Sequence, residues 1–399
     1  MVTEQLVNQI IEQRKEPDWL INKRLEAWKI YNQIPFPSQK EEEWRYADLK
    51  GLQIDSINPS KTILKQKISN NLKKNGIIFT NLQTALQEHP DLVRKYFSQA
   101  VGLNESKFSA LHYSLFNNGA FVYVPSGVEL TIPLHNQIFA LESSGLFNHT
   151  IIVLESESKA SFIEEMISPF KENQALHTEA AEIFVNDGAS LKFTSLQSWG
   201  QNVYNFAHKK AVVSKDANLD FIFALFGTKF TKLNLDMILN GEGCSVRNYG
   251  IYFGIKDQNF HIHTNAYHKV PHTKYDILNK GVLLDKASAV HRGMIRIERQ
   301  ATHANGFLTG HTLLLSEEAS SNIIPSLEID NNDVQAGHAA TVGQVDELQL
   351  FYLMSRGLDR KEAERLIVSG YFEPILKKIE FEGVKENIQR LLTERIRSV

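Results

Sequence analysis

Cysteine is almost absent from this 399-residue chain, where Cys244 stands alone. One thiol excludes an internal disulfide and points to a reducing, cytoplasmic setting. Long apolar runs are lacking too: no stretch approaches the roughly 20 residues that span a bilayer, which argues against a membrane protein. The amino terminus, MVTEQLVNQIIEQRKEPDWL, carries acids early and lacks the apolar core of a secretory signal. Charge of one sign is missing as well. The 43 Lys and Arg nearly balance 46 Asp and Glu, and a net charge of -3 with a pI near 6.5 disfavours nucleic acid as a partner. Enzyme signatures are equally scarce, with no G-x4-G-K-[ST] phosphate loop, no G-x-S-x-G elbow and no H-E-x-x-H. Any use of ATP must be borrowed.

What is present is a chain with 42% hydrophobic and 22% charged residues, long enough to bury a large core. Its middle repeats itself. A short apolar run, a polar turn and a small residue leading into a second run recur around Gly127, Ala160, Ala189, Ala217, Cys244, Ala287 and Ala319. The runs are β-branched and aromatic with period-two alternation, which disfavours a helical-repeat array. A β-solenoid follows, with small residues at tight corners and each coil stacked on the last. The long interval from Cys244 to Ala287 predicts one more coil, built from YGIYFGI and NFHIHTNAYHKV. A β-sandwich with similar hairpins is the competing fold.

The ends read differently. Leu6, Ile10, Ile11, Leu20, Ile21, Leu25 and Trp28 make a helical stripe broken at Pro17 and ended by IPFP. EEEWRYADLKGL follows at 41–52, its Glu run read as a solvated helix start. After Val345 the chain reads as helix: Leu348, Phe351 and Tyr352 recur at helical spacing up to Gly357. Asp359 with Glu362 offers a capping box, Ala363, Leu366 and Ile367 make a stripe, Gly370 is read as its stop, and Pro374 as the first turn of another helix. The expected division is an N-terminal helical and mixed region at 1–110, a β-solenoid core at 111–340 and a helical domain at 341–399. Ten basic residues balance ten acidic ones after Val345, which suits a protein partner, although capping of the solenoid is an equal reading.

Eight of the fourteen histidines lie between His261 and His338. Neutral imidazole binds borderline metals such as iron. His261, His263, His268 and His272 resemble a metal site only weakly, because no acid or thiol completes a recognised spacing. Cys244 invites a thiolate reading, yet it occupies the corner position that alanine takes in sibling repeats, so a buried structural role is the better one. A β-helix polysaccharide-active enzyme would need a carboxylate pair, for which Glu164 with Glu165 or Asp216 with Asp220 are available.

One string is far more specific. DV-x3-H-x-ATVGQ-x-DE-x-QLFYL-x-SRG, read here as a polar loop holding His338 between a strand and a helix, resembles the SufD branch of the SufB/SufD family, scaffold subunits of the SUF iron–sulfur cluster assembly system. EEEWRYADL resembles a signature near the start of the same family. The resemblance implies a mainly β fold, a right-handed parallel β-helix flanked by helical N- and C-terminal segments, and a non-catalytic scaffold. It implies pairing with a SufB-like paralogue, or a homodimer of the same architecture, and docking of a SufC-like ATPase on the C-terminal helices, where Leu348, Phe351, Tyr352, Leu366 and Ile367 are the candidate contacts. Iron or an iron–sulfur cluster would be held transiently at the subunit interface, ATP would enter only through the partner, and a reduced flavin is a further candidate cofactor of the complex. In the family this segment commonly reads DVKCSHGATVG; here Ala336 replaces the cysteine, leaving His338 as the metal candidate of the motif. His311, one coil earlier, is the second candidate, and Cys244 a weak third.

Overall fold

Ten-residue runs that are apolar on both faces form strands buried on both sides, and here each sheet has one face inside a solenoid and the other beneath helices. The structure, a computed structural model, describes residues 2–57, 63–67, 75–140, 145–168 and 174–396. Part of the expected N-terminal region at 1–110 therefore lies outside the described residues.

Two nine-stranded sheets face each other. The first runs β1 (Ile63–Lys67), β4 (Leu134–Phe139), β6 (Lys159–Ile167), β8 (Ser190–Trp199), β10 (Asn218–Gly227), β12 (Ser245–Gly254), β14 (Lys274–Leu283), β16 (Asn305–Leu314) and β18 (Gln335–Gln344). The second runs β2 (Ile78–Asn81), β3 (Ala120–Val124), β5 (Gly145–Leu154), β7 (Ala175–Val185), β9 (Val203–Val213), β11 (Phe230–Leu239), β13 (Asn259–His268), β15 (Ser288–Ile297) and β17 (Ser320–Ile329). From β3 onward successive strands alternate between the sheets and pair in parallel, giving a β-solenoid of about seven coils. Among the described strands, only β1 with β4 and β2 with β3 pair antiparallel. Like side chains stack from coil to coil: Leu191, Leu219 and Val246 share one inward row, and the rings of Phe193 and Phe221 stack at 4.7 Å.

The corners explain the repeat. Gly127, Glu157, Gly188, Asp216, Gly243, His272 and His303 all have positive φ and follow one another at intervals of 27 to 31 residues. A buried small residue comes next in nearly every case: Ser158, Ala189, Ala217, Cys244, Thr273 and Ala304. Ala287 and Ala319 belong to the opposite corner, where Thr228, Lys256 and Asp285 are left-handed. The apparent gap after Cys244 thus mixes two corner columns, and β12 and β13 fill it as the expected extra coil.

Helices cover both outer faces. Among the N-terminal ones, α1 (Glu4–Arg14), α2 (Asp18–Gln33), α3 (Leu82–Glu88), α4 (Pro90–Tyr96) and α5 (Lys107–Leu115) share a core with the outward residues of β5, β7, β9 and β11. Arg24, fully buried on α2, grips Glu16 through two 2.6 Å bonds and donates to the carbonyls of Ser114 and Phe116 at the end of α5. The Glu run at 41–43 is exposed and opens a short helix, as expected, but that helix is a 3-10 turn, Glu42–Trp44, that straps the outer face of the second sheet. Trp44 packs against the stacked rings of Phe108 and Phe206, Glu43 pairs with Lys232 of β11 at 2.9 Å, and Arg292 of β15 holds Glu42 by its carboxylate and carbonyl.

At the C-terminus, α6 (Glu347–Ser355) is capped by Asp346 through the Leu348 N–H at 2.8 Å and stops at Gly357 in the left-handed region. The expected Asp359–Glu362 capping box opens α7 (Arg360–Leu376). This helix does not stop at Gly370, and Pro374 lies inside it rather than opening a new one. Burial of Val368, Phe372, Ile375 and Leu376 on the first sheet offsets the N–H that the proline lacks. Together α7 and α8 (Glu382–Ile396) cover the outer face of β8, β10 and β12.

Candidate functional site

Among the described residues nothing stacks on the last coil. In β17 and β18 no position is fully buried, and both strands present a free edge at one end of the solenoid. His338 sits there, within strand β18 rather than in the polar loop expected. QAGHAATVGQ has little intrinsic strand preference, and the parallel ladder to β16 imposes the conformation. His338 pairs with Leu308, an inward core residue, so its imidazole continues the inward row; with no coil above, it is exposed at the open mouth. Ile329 and Val342, also exposed, rim the same end.

His311 is not brought to that site. It lies on the outer face of β16, half-buried, in register with Lys280 of β14. Desolvation and then the Lys280 charge lower its pKa, so it is a neutral base. Lys280 in turn donates to the Tyr371 carbonyl of α7 at 2.8 Å, which places His311 beside the C-terminal helices. Cys244 is buried at a corner, and desolvation pushes its thiol up to about 11, far from a thiolate. His261 and His263 do share one face of β13, as expected, but they are covered by the strap, where burial lowers both pKa values. His268 faces the core, with Nδ1 2.7 Å from Thr273 Oγ1, and His272 stacks on His303 at a corner.

The carboxylate pairs are likewise separated. Glu164 points into the solenoid, whereas Glu165 points outward to His135, Gln137 and Asn387, and their hydrogen bonds hold its pKa near 2 against desolvation. Asp216 occupies a left-handed corner, and Asp220 is taken by Arg247 on the outer face.

Several charged groups escaped sequence reasoning because their partners are remote. Inside the solenoid Lys209 of β9 reaches Glu164 of β6 at 2.7 Å and Glu179 of β7 at 2.5 Å, all three buried. Burial, with Glu164 beside it, raises Glu179 well above the usual carboxylate range. On the outer face a chain runs from Thr178 to His112 at 3.0 Å, to His149 at 3.1 Å and to Glu182 at 3.1 Å. Glu182 also accepts the N–H groups of Ser98, Ala100 and Val101, tying the N-terminal region to the sheet. Strand alternation carried a trace of these networks, since a charged residue on an inward row must find a partner.

The C-terminal helices leave a second surface. Leu348, Phe351, Tyr352 and Leu366 are 78%, 70%, 58% and 53% exposed, and Ile367 is half-buried in a groove shared with Leu348, Gln349, Tyr352 and Leu353. These are the α6 and α7 residues expected to contact a partner. They are continuous with the buried face of α7 but not part of it.

Residues 138–371 match the family described as SUF system FeS cluster assembly, SufBD core domain, and residues 58–136 match the SufBD protein N-terminal region. The iron–sulfur cluster assembly protein SufD of Bacillus subtilis is 32% identical over 431 residues, covering 99% of this chain and 98% of that protein. An iron–sulfur cluster assembly SufBD family protein of Staphylococcus saprophyticus is 30% identical, and one of Staphylococcus aureus 29%, each covering 96% of this chain and 91% of the relative.

Proposed function

Because this chain belongs to the SufBD family of iron–sulfur cluster assembly proteins, and is SufD-like along its whole length, we propose that it is a non-catalytic scaffold with two docking surfaces and a histidine-bearing mouth between subunits. It pairs in the cytoplasm through the open coil with a SufB-like paralogue, a homodimer being the second arrangement the same edge permits. It docks a SufC-like ATPase on α6 and the start of α7. Iron or a nascent cluster is the cargo, held transiently where His338 meets the partner.

The observation that carries this reading is the division of the C-terminal helices. Val368, Phe372, Ile375 and Ile388 already satisfy the solenoid, so capping does not account for the exposed Leu348, Phe351, Tyr352 and Leu366. A contiguous apolar patch left after a domain has covered its own core marks a protein contact. At the other surface, the unpaired edges of β17 and β18 suit strand-to-strand association, with exposed Ile329 and Val342 as its apolar filling. His338 would then be enclosed, one ring nitrogen offering a ligand while the partner completes the set.

Co-purification tests it. Leu348→Asp combined with Phe351→Asp should abolish recovery of the ATPase and leave the thermal melt and the paralogue contact unchanged. Removing everything after Gln344 would be a poor substitute, since it also strips α7 and α8 from the first sheet. Undiminished ATPase recovery with the double variant would reject α6 as the docking element.

A further inference from the structure

Away from both docking surfaces, a nitrogen and oxygen donor set spans the seam between the N-terminal region and the solenoid. Glu105 precedes α5, His208 lies on the outer face of β9 and Asp236 on that of β11. Among the described residues these form the only group of three such side chains whose ligand atoms all lie within 4.8 Å of one another. His208 Nδ1 stands 3.0 Å from Glu105 Oε2, and its Nε2 2.8 Å from Asp236 Oδ2. Outer groups fix both acids: Asn265 Nδ2 donates to Asp236 Oδ1 at 2.8 Å, and the Gly102 N–H donates to Glu105 Oε1 at 2.7 Å. His208 and Asp236 are buried, while Glu105 is open enough to admit a ligand.

A cation already marks the position. Lys210, two residues along β9 from His208, puts its ammonium 2.7 Å from Glu105 Oε1 and 3.7 Å from Asp236 Oδ2. One ammonium balances half the charge of two carboxylates, and its side chain is partly solvent-accessible, so it can withdraw. We infer that His208, Glu105 and Asp236 form a binding site for a divalent first-row transition cation, such as Fe2+, Mn2+ or Zn2+, in competition with the tethered ammonium of Lys210. One imidazole with two carboxylates suits these ions. Loading the site exchanges one of the two His208–carboxylate hydrogen bonds for the ion, so that one ring nitrogen and both acids face it. The ligands come from two parts of the fold, so the bound ion stabilises their seam by mass action. This site is independent of the docking reading above.

Titrating the full-length protein with Co2+ alone, by ligand-field absorption and equilibrium dialysis, decides it. The wild type should bind one equivalent that Glu105→Gln and Asp236→Asn weaken by about tenfold or more, the usual scale for disturbing a metal's ligand shell. Lys210→Met should tighten the same equivalent by about tenfold, and His303→Ala, at an exposed corner, should leave it unchanged. Should Asp236→Asn fail to fold, the surface variant Glu105→Gln and Lys210→Met still decide. Wild-type affinity in Glu105→Gln, or no tightening in Lys210→Met, would overturn the site and leave a completed ion network.

Discussion

A thiol held near pH 11 and an imidazole at an open mouth make opposite demands on a substitution. Cys244 is a close-packed corner residue, and Cys244→Ala loses one buried heavy atom, a cost of about 1 kcal/mol. His338 is exposed, so His338→Ala should also cost no more than about 1 kcal/mol. Their effects on cargo should diverge. In a purified complex with both partners, His338→Ala should lower iron content, His311→Ala should lower it less, and Cys244→Ala should leave it unchanged. Iron depletion in Cys244→Ala with normal melting would transfer the ligand role to the thiol. His338 and Cys244 were singled out in the sequence for sound reasons, one from a long specific string and one from its place in the repeat. The opposite faces taken by His338 and His311 were not legible, because facing depends on strand registers set by the whole ladder.

At the scale of elements, the 3-10 turn Glu42–Trp44 is the clearest case of a segment defined by distant partners. Trp44 is nearly fully buried against Phe108 and Phe206, whereas Glu42 and Glu43 are largely exposed. Surface ion pairs contribute about 1 kcal/mol or less, so the indole dominates. Trp44→Ala should cost about 3–5 kcal/mol locally, seen as fast hydrogen exchange and proteolysis between residues 34 and 57 while the solenoid melts unchanged. A single cooperative loss of the whole fold would show instead that strap and solenoid are one unit. The strap was invisible in sequence because Lys232 and Arg292 lie far along the chain. The repeats were visible because left-handed corners recur and a small residue follows them. Gly370 and Pro374 misled because local breakers yielded to the apolar face that α7 buries.

For the whole molecule, buried neutral imidazoles set the response to acid. Burial lowers His177, His268 and His291 to about 4 and His261 to about 3, with His112 and His263 also well below 6.5. In the unfolded chain each takes a proton near pH 6.5. Their depressed values mean that stability is complete above about 6.5 and is lost as pH falls, each group giving up about 1.4 kcal/mol per pH unit until its folded pKa is reached. Set against a typical 5–15 kcal/mol of total stability, this predicts acid unfolding with a midpoint near pH 5, measurable by circular dichroism. Retention of the native spectrum below pH 4 would mean that the imidazoles are solvated or already charged.

A stack of similar coils has a phase problem: each strand meets a similar edge above and below, so a growing solenoid can skip or repeat a step. Apolar rows of Leu, Val and Phe tolerate such a slip, because one inward row resembles the next. The layer of Lys209, Glu164 and Glu179 does not. Displaced by one coil, the ammonium would leave Glu164 and Glu179, and both carboxyls would lose the cation they share. An uncompensated buried charge costs about 3–5 kcal/mol. The triad therefore acts as an index mark, giving an otherwise periodic chain one correct alignment during folding.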